Sequence, residues 1–184
     1  MRMGQPPSAD LAARCAAIEL LAVDVDGVLT DGVIVVDDRG VESKHFHVRD
    51  GLAYSLWHRA GKCSAILSGR WAEVVDRRAA ELKIAHVAQG LAEKGEPLRA
   101  LLVELGLELR QVCFVGDDLV DLPVLRAVGL AACPADAVVE VRDSVHFVTT
   151  AAGGRGAVRE VVEVILKLQG LWHGLCGAYR VPAV

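Results

Sequence analysis

Short, mostly apolar runs, three of which stop at Asp, Ser or Gly, recur along this chain, and they alternate with stretches whose apolar residues return every three or four positions. Runs of the first kind, at 20–23, 63–67, 84–88, 112–115, 130–132 and 146–148, predict buried β-strands. Stretches of the second kind, at 52–60, 72–82, 96–105, 120–128, 135–141 and 156–169, predict amphipathic helices. Gly61 and Gly106 close two of them, and Pro97 suits a first helical turn. Repeated strand–helix units imply right-handed crossovers. The expected fold class is therefore α/β: a doubly wound, mostly parallel, Rossmann-like sheet with helices on both faces. One segment departs from this rhythm. Runs at 33–36 and 44–48 flank Asp37-Asp38-Arg39-Gly40, a turn signal that predicts a β-hairpin over 33–48, directly after the first strand. No internal repeat or low-complexity segment is present.

Composition narrows the picture. At 184 residues and 53% hydrophobic, the chain can bury one core, so a single domain over 1–184 is expected. A formal charge of −4 argues against a nucleic-acid partner, which would call for a basic face. No apolar run approaches the roughly 20 residues of a membrane-spanning helix. The first ten residues are polar and proline-bearing, without the layout of a secretory signal, and the expected location is cytoplasmic. Five cysteines without a CxxC spacing read as reduced thiols. His173 and Cys176 form an H-x-x-C, but two ligands do not make a structural zinc site. His45 and His47 would share one face of a strand, as a surface or substrate-facing pair.

Candidate chemistry collects at the ends of the predicted strands. The first run ends in Asp24-Val25-Asp26-Gly27, two carboxylates two residues apart where a glycine lets backbone approach an anion. Ser68 ends the 63–67 run, Lys94 lies in the loop before the 96–105 helix, and Asp117, Asp118 and Asp121 follow the 112–115 run. Each has a plain reading as turn, solvated charge or helix cap. A doubly wound sheet, however, can gather such strand ends into one crevice. A phosphomonoester is doubly charged, so an attacking carboxylate needs a cation, and acidic pairs beside glycine turns suit Mg²⁺. Arg49, Arg70 and Arg78 are cationic candidates for an acidic substrate, with Arg78 two helical turns beyond Arg70. The Gly153-Gly154-Arg155-Gly156 loop lacks the Lys-Ser/Thr ending of a P-loop and reads as a tight turn bringing Arg155 or a helix start near the site.

These positions resemble the four motifs of the haloacid dehalogenase superfamily: Asp24-Val-Asp-Gly-Val-Leu-Thr, Ser68, Lys94 and Gly116-Asp-Asp-Leu-Val-Asp121. Within it the chain is similar to the group of phosphatases acting on 3-deoxy-D-manno-octulosonate 8-phosphate, an intermediate of lipopolysaccharide assembly. That closer likeness rests on Asp-Gly-Val-Leu-Thr-Asp-Gly at 26–32, Phe-His-Val-Arg-Asp-Gly at 46–51, Ser-Gly-Arg at 68–70, Gln89-Gly90 and Gly-Gly-Arg-Gly-Ala-Val-Arg-Glu at 153–160. The resemblance implies Asp24 as nucleophile, forming an aspartyl-phosphate, and Asp26 as general acid and then base. It implies Ser68 and Lys94 as ligands of the transferring oxygens. Asp24, Asp117 and the backbone carbonyl of Asp26 would hold Mg²⁺, with Asp118 and Asp121 holding water or orienting neighbours. His47, Arg49, Asp50, Gly51, Arg70, Arg78 and Lys94 would bind the phosphorylated sugar acid. No cap domain is inserted, and the resemblance implies a homotetramer in which the hairpin and the apolar 171–184 tail reach neighbouring chains. Ser55 stands where these phosphatases often offer an arginine.

Two other readings compete. A phosphatase for a nine-carbon ulosonate would carry the same four motifs, although Arg49-Asp50-Gly51 favours the eight-carbon acid. A non-catalytic phosphoacceptor or binding module also gathers acids and a lysine at strand ends. It would place its acidic pair differently from Asp24-x-Asp26 and the later Gly-Asp-Asp.

Overall fold

The computed structural model describes residues 9–179. Expectations that fall on 1–8 and 180–184 lie outside the described residues. Strand β1 (Leu20–Val23) is buried at every position and pairs in parallel with β4 (Cys63–Leu67) on one side and β6 (Val112–Val115) on the other. Beyond them lie β5 (His86–Ala88), β7 (Leu130–Cys133) and β8 (Phe147–Val148), giving the order β5-β4-β1-β6-β7-β8. All pairings in this sheet are parallel. Strands buried on both faces need no alternation of polarity, which is why β1, β6 and β7, buried at every position, are unbroken apolar runs.

Alternate residues of each strand serve different layers. Leu21, Val23, Cys113 and Val115 pack with α1 (Ala9–Ala16), α2 (Val48–Arg59), α3 (Glu73–Leu82) and α7 (Ala157–Leu168) through Cys15, Trp57, Val75 and Ile165. Leu20, Ala22, Val112 and Phe114 pack on the opposite face with α4 (Gly95–Leu105), α5 (Leu122–Leu125) and α6 (Val139–Arg142) through Leu98, Leu102, Leu125 and Val141. No separate cap domain interrupts this three-layer body.

From β1 the chain builds outward through β4 and β5, then returns to the other side of β1 with β6. That reversal opens a crevice at the carboxyl ends of β1 and β6, the place where parallel sheets take ligands.

Several element boundaries differ from expectation. The hairpin is shorter than 33–48: its strands are β2 (Val35–Val36) and β3 (Glu42–Ser43), which form a separate two-stranded antiparallel sheet. Residues 44–48 are not a strand. His47 caps α2 by accepting a hydrogen bond from the Arg49 N–H, so the helix starts at Val48 and the expected strand face shared by His45 and His47 does not exist. The 120–128 helix reduces to a 3₁₀ turn (Leu119–Asp121) followed by α5, and the 135–141 helix to α6.

The tail folds back on its own chain. In α8 (Trp172–Cys176), the Trp172 ring lies 5.1 Å from the Arg159 guanidinium and 5.6 Å from Lys167 Nζ, while Arg59 donates to Tyr179 Oη at 3.3 Å. The described part of the tail is thus held by cations of α7 and α2.

Candidate active site

Asp24 leaves β1 at its carboxyl end, fixed by its N–H donating to the Val115 carbonyl at 2.9 Å. Its Oδ1 accepts from the Val25 N–H at 2.7 Å, and Lys94 Nζ lies 3.0 Å from Oδ2. Lys94 arrives from the residue preceding α4 and is 4% exposed; its ammonium also meets Asp121 Oδ1 at 2.6 Å. The other Asp121 oxygen accepts the Asp117 N–H at 3.0 Å. Asp24, Asp117 and Asp121 present oxygens within 4.8 Å of one another, the one group of potential metal ligands found among the described residues.

Such crowding is costly. At separations of 4.8 Å or less, each pair of ionised carboxylates repels by at least about 3.5 kcal/mol at an effective dielectric of about 20. Burial, outweighing the opposing pull of Lys94 and helped by Asp121, pushes the Asp24 carboxyl up to about 6. Burial and the charges of Asp24, Asp121 and Asp118 push Asp117 up to about 8. Three carboxylates against one ammonium leave a surplus of two negative charges, which a divalent cation balances. The backbone makes room accordingly: Gly27 has φ +82°, and a Cβ there would sit 1.9 Å from Asp117 Oδ2. The donor set is all oxygen, as Mg²⁺ prefers.

A cavity of about 370 Å³ opens above the cluster, lined by Asp24, Asp26, Ser68, Arg70, Lys94, Asp117 and Asp118 with Gly27, Gly32, Gly69 and Val120. Ser68, 2% exposed, is set at the end of β4 by its N–H donating to the Ala88 carbonyl at 2.9 Å. The Gly153-Gly154 turn before α7 packs on the loop after β1: Gly154 donates to the Val28 carbonyl at 3.0 Å, and a Cβ on Gly153 would lie 1.9 Å from the Gly27 carbonyl oxygen.

A model of the haloacid dehalogenase-like hydrolase family matches residues 59–161, more than half of the chain. The chain belongs to the haloacid dehalogenase-like hydrolases. The 3-deoxy-D-manno-octulosonate 8-phosphate phosphatases KdsC of Yersinia pestis and Escherichia coli K12 are 41% and 44% identical to it, spanning 94% and 90% of this chain and 92% and 88% of their own lengths. A probable YrbI family phosphatase from Pseudomonas syringae superposes with a TM-score of 0.92 at 45% identity, covering 94% of this chain and 98% of that one. The octulosonate phosphatase of Moraxella catarrhalis, crystallised with magnesium, phosphate and KDO, gives 0.91 at 38% identity, covering 93% and 98%.

Not every expected residue reaches the cavity of this hydrolase. His47, Arg49, Asp50, Gly51 and Arg78 do not line it within a single chain. Asp50 is 2% exposed, and its Oδ1 accepts the Arg159 N–H at 2.8 Å, so it caps the first turn of α7. The Arg78 guanidinium stacks 5.6 Å from the Phe46 ring, pressed against Gly51. Arg49 lines a different groove of about 470 Å³ with Arg155 and Arg159. Ser55 lies on a third, between α2 and α3, so its departure from arginine does not bear on the cavity of its own chain. Asp118 is exposed and caps the 3₁₀ turn through the Leu119 N–H. The Asp26 carboxylate stands outside the acidic trio, and Asp121, expected only in support, stands inside it with both oxygens engaged.

Sequence reasoning passed over two residues. Lys44 contacts Asp26 Oδ1 and lies 2.8 Å from Glu42 Oε1, while Arg70 reaches Glu42 Oε2 at 2.9 Å and Asp26 Oδ2 at 3.6 Å. The available signal was the Glu42-x-Lys44 spacing, opposite charges two residues apart at the end of a hairpin.

Asp24 and Asp117 titrate near 3.8 when unfolded, so between about pH 4 and pH 8 the folded, metal-free protein holds protons that the unfolded chain has lost. The stability these groups contribute is complete below about pH 4 and is lost as pH rises through about 6 and about 8. Saturating Mg²⁺ removes the repulsion, so thermal melts should show a larger rise in Tm on adding Mg²⁺ at pH 8 than at pH 5. Equal shifts at both pH values would contradict this account of the cluster.

Proposed function

We propose that this hydrolase cleaves 3-deoxy-D-manno-octulosonate 8-phosphate to the free sugar acid and inorganic phosphate, in lipopolysaccharide assembly. The observation that carries the reading is Asp24: a buried carboxylate at the mouth of an open cavity, flanked by an ammonium and a hydroxyl, with two further carboxylates balanced for a divalent cation. Similarity to octulosonate phosphatases over nine-tenths of the chain supports the substrate.

In this reading a carboxylate oxygen of Asp24 attacks phosphorus, and the bond from phosphorus to the sugar oxygen breaks. Asp26 gives its proton to that departing oxygen. A water then attacks the aspartyl-phosphate, Asp26 takes the water's proton, phosphate leaves and the Asp24 carboxylate is restored. Ser68 Oγ and Lys94 Nζ bind the transferring oxygens, as preorganised donors on buried side chains. Asp24, Asp117 and the Asp26 carbonyl would hold Mg²⁺, with Asp121 and Asp118 in support. When bound, the ion offsets the charge of the phosphoryl group against the attacking carboxylate. Arg70, half-exposed on the cavity wall, suits the acid group of the substrate.

Phosphate release from a panel of eight- and nine-carbon ulosonate phosphates and hexose phosphates, with and without Mg²⁺, tests this. The octulosonate should be preferred and Mg²⁺ required. Asp24→Asn should abolish turnover, and Asp26→Asn should lower kcat by about 100- to 10,000-fold. Preference for the nine-carbon acid or a hexose phosphate would overturn the substrate, and unimpaired Asp24→Asn would overturn the mechanism.

The reading includes a cytoplasmic homotetramer. Five free cysteines suit a reducing compartment, and among the described residues no helix is long and apolar enough to cross a membrane. The hairpin displays Val33, Ile34, Val35, Val36 and Val41, between 42% and 59% exposed, an apolar edge that an isolated chain would leave open to pairing. Sedimentation equilibrium should report four chains, and Val35→Asp should dissociate them. A wild-type monomer would contradict the assembly.

A further inference from the structure

The hairpin's foot contains an ionic ring of which Asp26 and Arg70 line the cavity and Lys44 and Glu42 do not. Lys44, the residue after β3, is 1% exposed in its side chain, and it bridges Asp26 Oδ1 and Glu42 Oε1. Arg70, from the loop after β4, closes the ring on Glu42 Oε2 and lies 3.6 Å from Asp26 Oδ2. A lysine on a short, exposed hairpin ordinarily extends its ammonium into water. Turning it inward costs desolvation that only close partners repay. The β2–β3 pair shares no hydrogen bonds with the main sheet, and a two-stranded hairpin alone is marginal. Its foot is therefore anchored by side chains, and the anchor is Asp26.

The two oxygens of Asp26 are unlike. Oδ1 is held by Lys44, whereas Oδ2 is buried and has no hydrogen-bond partner. Lys44 is buried and doubly paired, while Arg70 is 51% exposed and can turn toward an anionic substrate. Lys44 does not line the cavity; it reaches the site directly through Asp26 and, one step further away, through Glu42 and Arg70.

We propose that Lys44, locked by Glu42, is the positioning residue of Asp26: it anchors Oδ1 so that Oδ2 is the oxygen presented to the leaving group. This rests on Asp26 being the proton donor. The hairpin foot is then part of the reaction machinery, and its outer face and its inner charges belong to one device. The proton still travels from the Asp26 carboxyl to the departing sugar oxygen; Lys44 transfers none.

Leaving-group dependence tests the assignment. A sugar alkoxide needs a proton to depart, whereas p-nitrophenolate does not. Lys44→Met should lower kcat for the sugar-acid phosphate by about 30-fold or more, within the range of general acid catalysis, with KM within about twofold. First-turnover release of p-nitrophenol from p-nitrophenyl phosphate should fall less than about threefold. Glu42→Gln should show the same selectivity with a smaller loss, and it supplies the readout if the melting curve shows that Lys44→Met is unfolded. Asp26→Asn is the reference. If it is selective and the Lys44 and Glu42 variants slow both substrates equally, or slow neither, Lys44 does not position Asp26. If Asp26→Asn itself shows no selectivity, the assignment of Asp26 as proton donor fails, and the proposal with it.

Discussion

Mutual repulsion among three carboxylates at one end of a parallel sheet is the constraint around which this molecule is arranged. Asp24, Asp117 and Asp121 are held together by the register of β1 and β6 and by the turn after β6, and a single ammonium, Lys94, sits among them. A surplus of two negative charges in a poorly solvated place is unfavourable unless a cation or protons supply the difference. Neighbouring features follow from that need. Asp121 has both oxygens committed, to Lys94 and to the Asp117 N–H, so it stiffens the trio, whereas Asp24 keeps its position over an open cavity. Gly27 has no side chain because the Asp117 carboxylate already occupies that space.

The same loop links the site to the rest of the body. Gly153 and Gly154 press on the backbone after β1, and they begin the turn into α7, whose first helical turn is capped by Asp50 from α2. Two helices far apart in sequence are thereby tied to the position of Gly27. Within one chain Asp50, Gly153 and Gly154 thus serve packing and capping, while Arg70 is the arginine on the cavity wall.

The core of the fold was legible because its signals were unambiguous. The runs at 20–23, 63–67 and 112–115 are apolar but for Ser64 and end at Asp24, Ser68 and Gly116, and β1, β4 and β6 begin and end at those positions. Signals failed where side-chain partners override local pattern. Residues 44–48 alternate like a strand, but Lys44 turns inward to Asp26 and His47 caps a helix, which no window of sequence reveals. Pro123 sits in the first turn of α5, where the expected 120–128 helix divides into two short elements. For the site, residues at strand ends were readable because topology carries them to one crevice. Arg78 does not line the cavity of its own chain: helical periodicity gives a face but not what covers it, and here Phe46 and Gly51 lie against the guanidinium.

The central claim is that the acidic trio and its cation leave Asp24 as the carboxylate that captures phosphorus. Beryllium trifluoride mimics an acyl phosphate, so a crystal structure of the protein grown with Mg²⁺ and beryllofluoride is the direct test. The expected structure has fluoroberyllate bonded to an Asp24 oxygen within reach of Ser68 and Lys94, and one Mg²⁺ held by Asp24 and Asp117. An adduct on Asp26 or Asp117, or an ion bound away from these carboxylates, would contradict it.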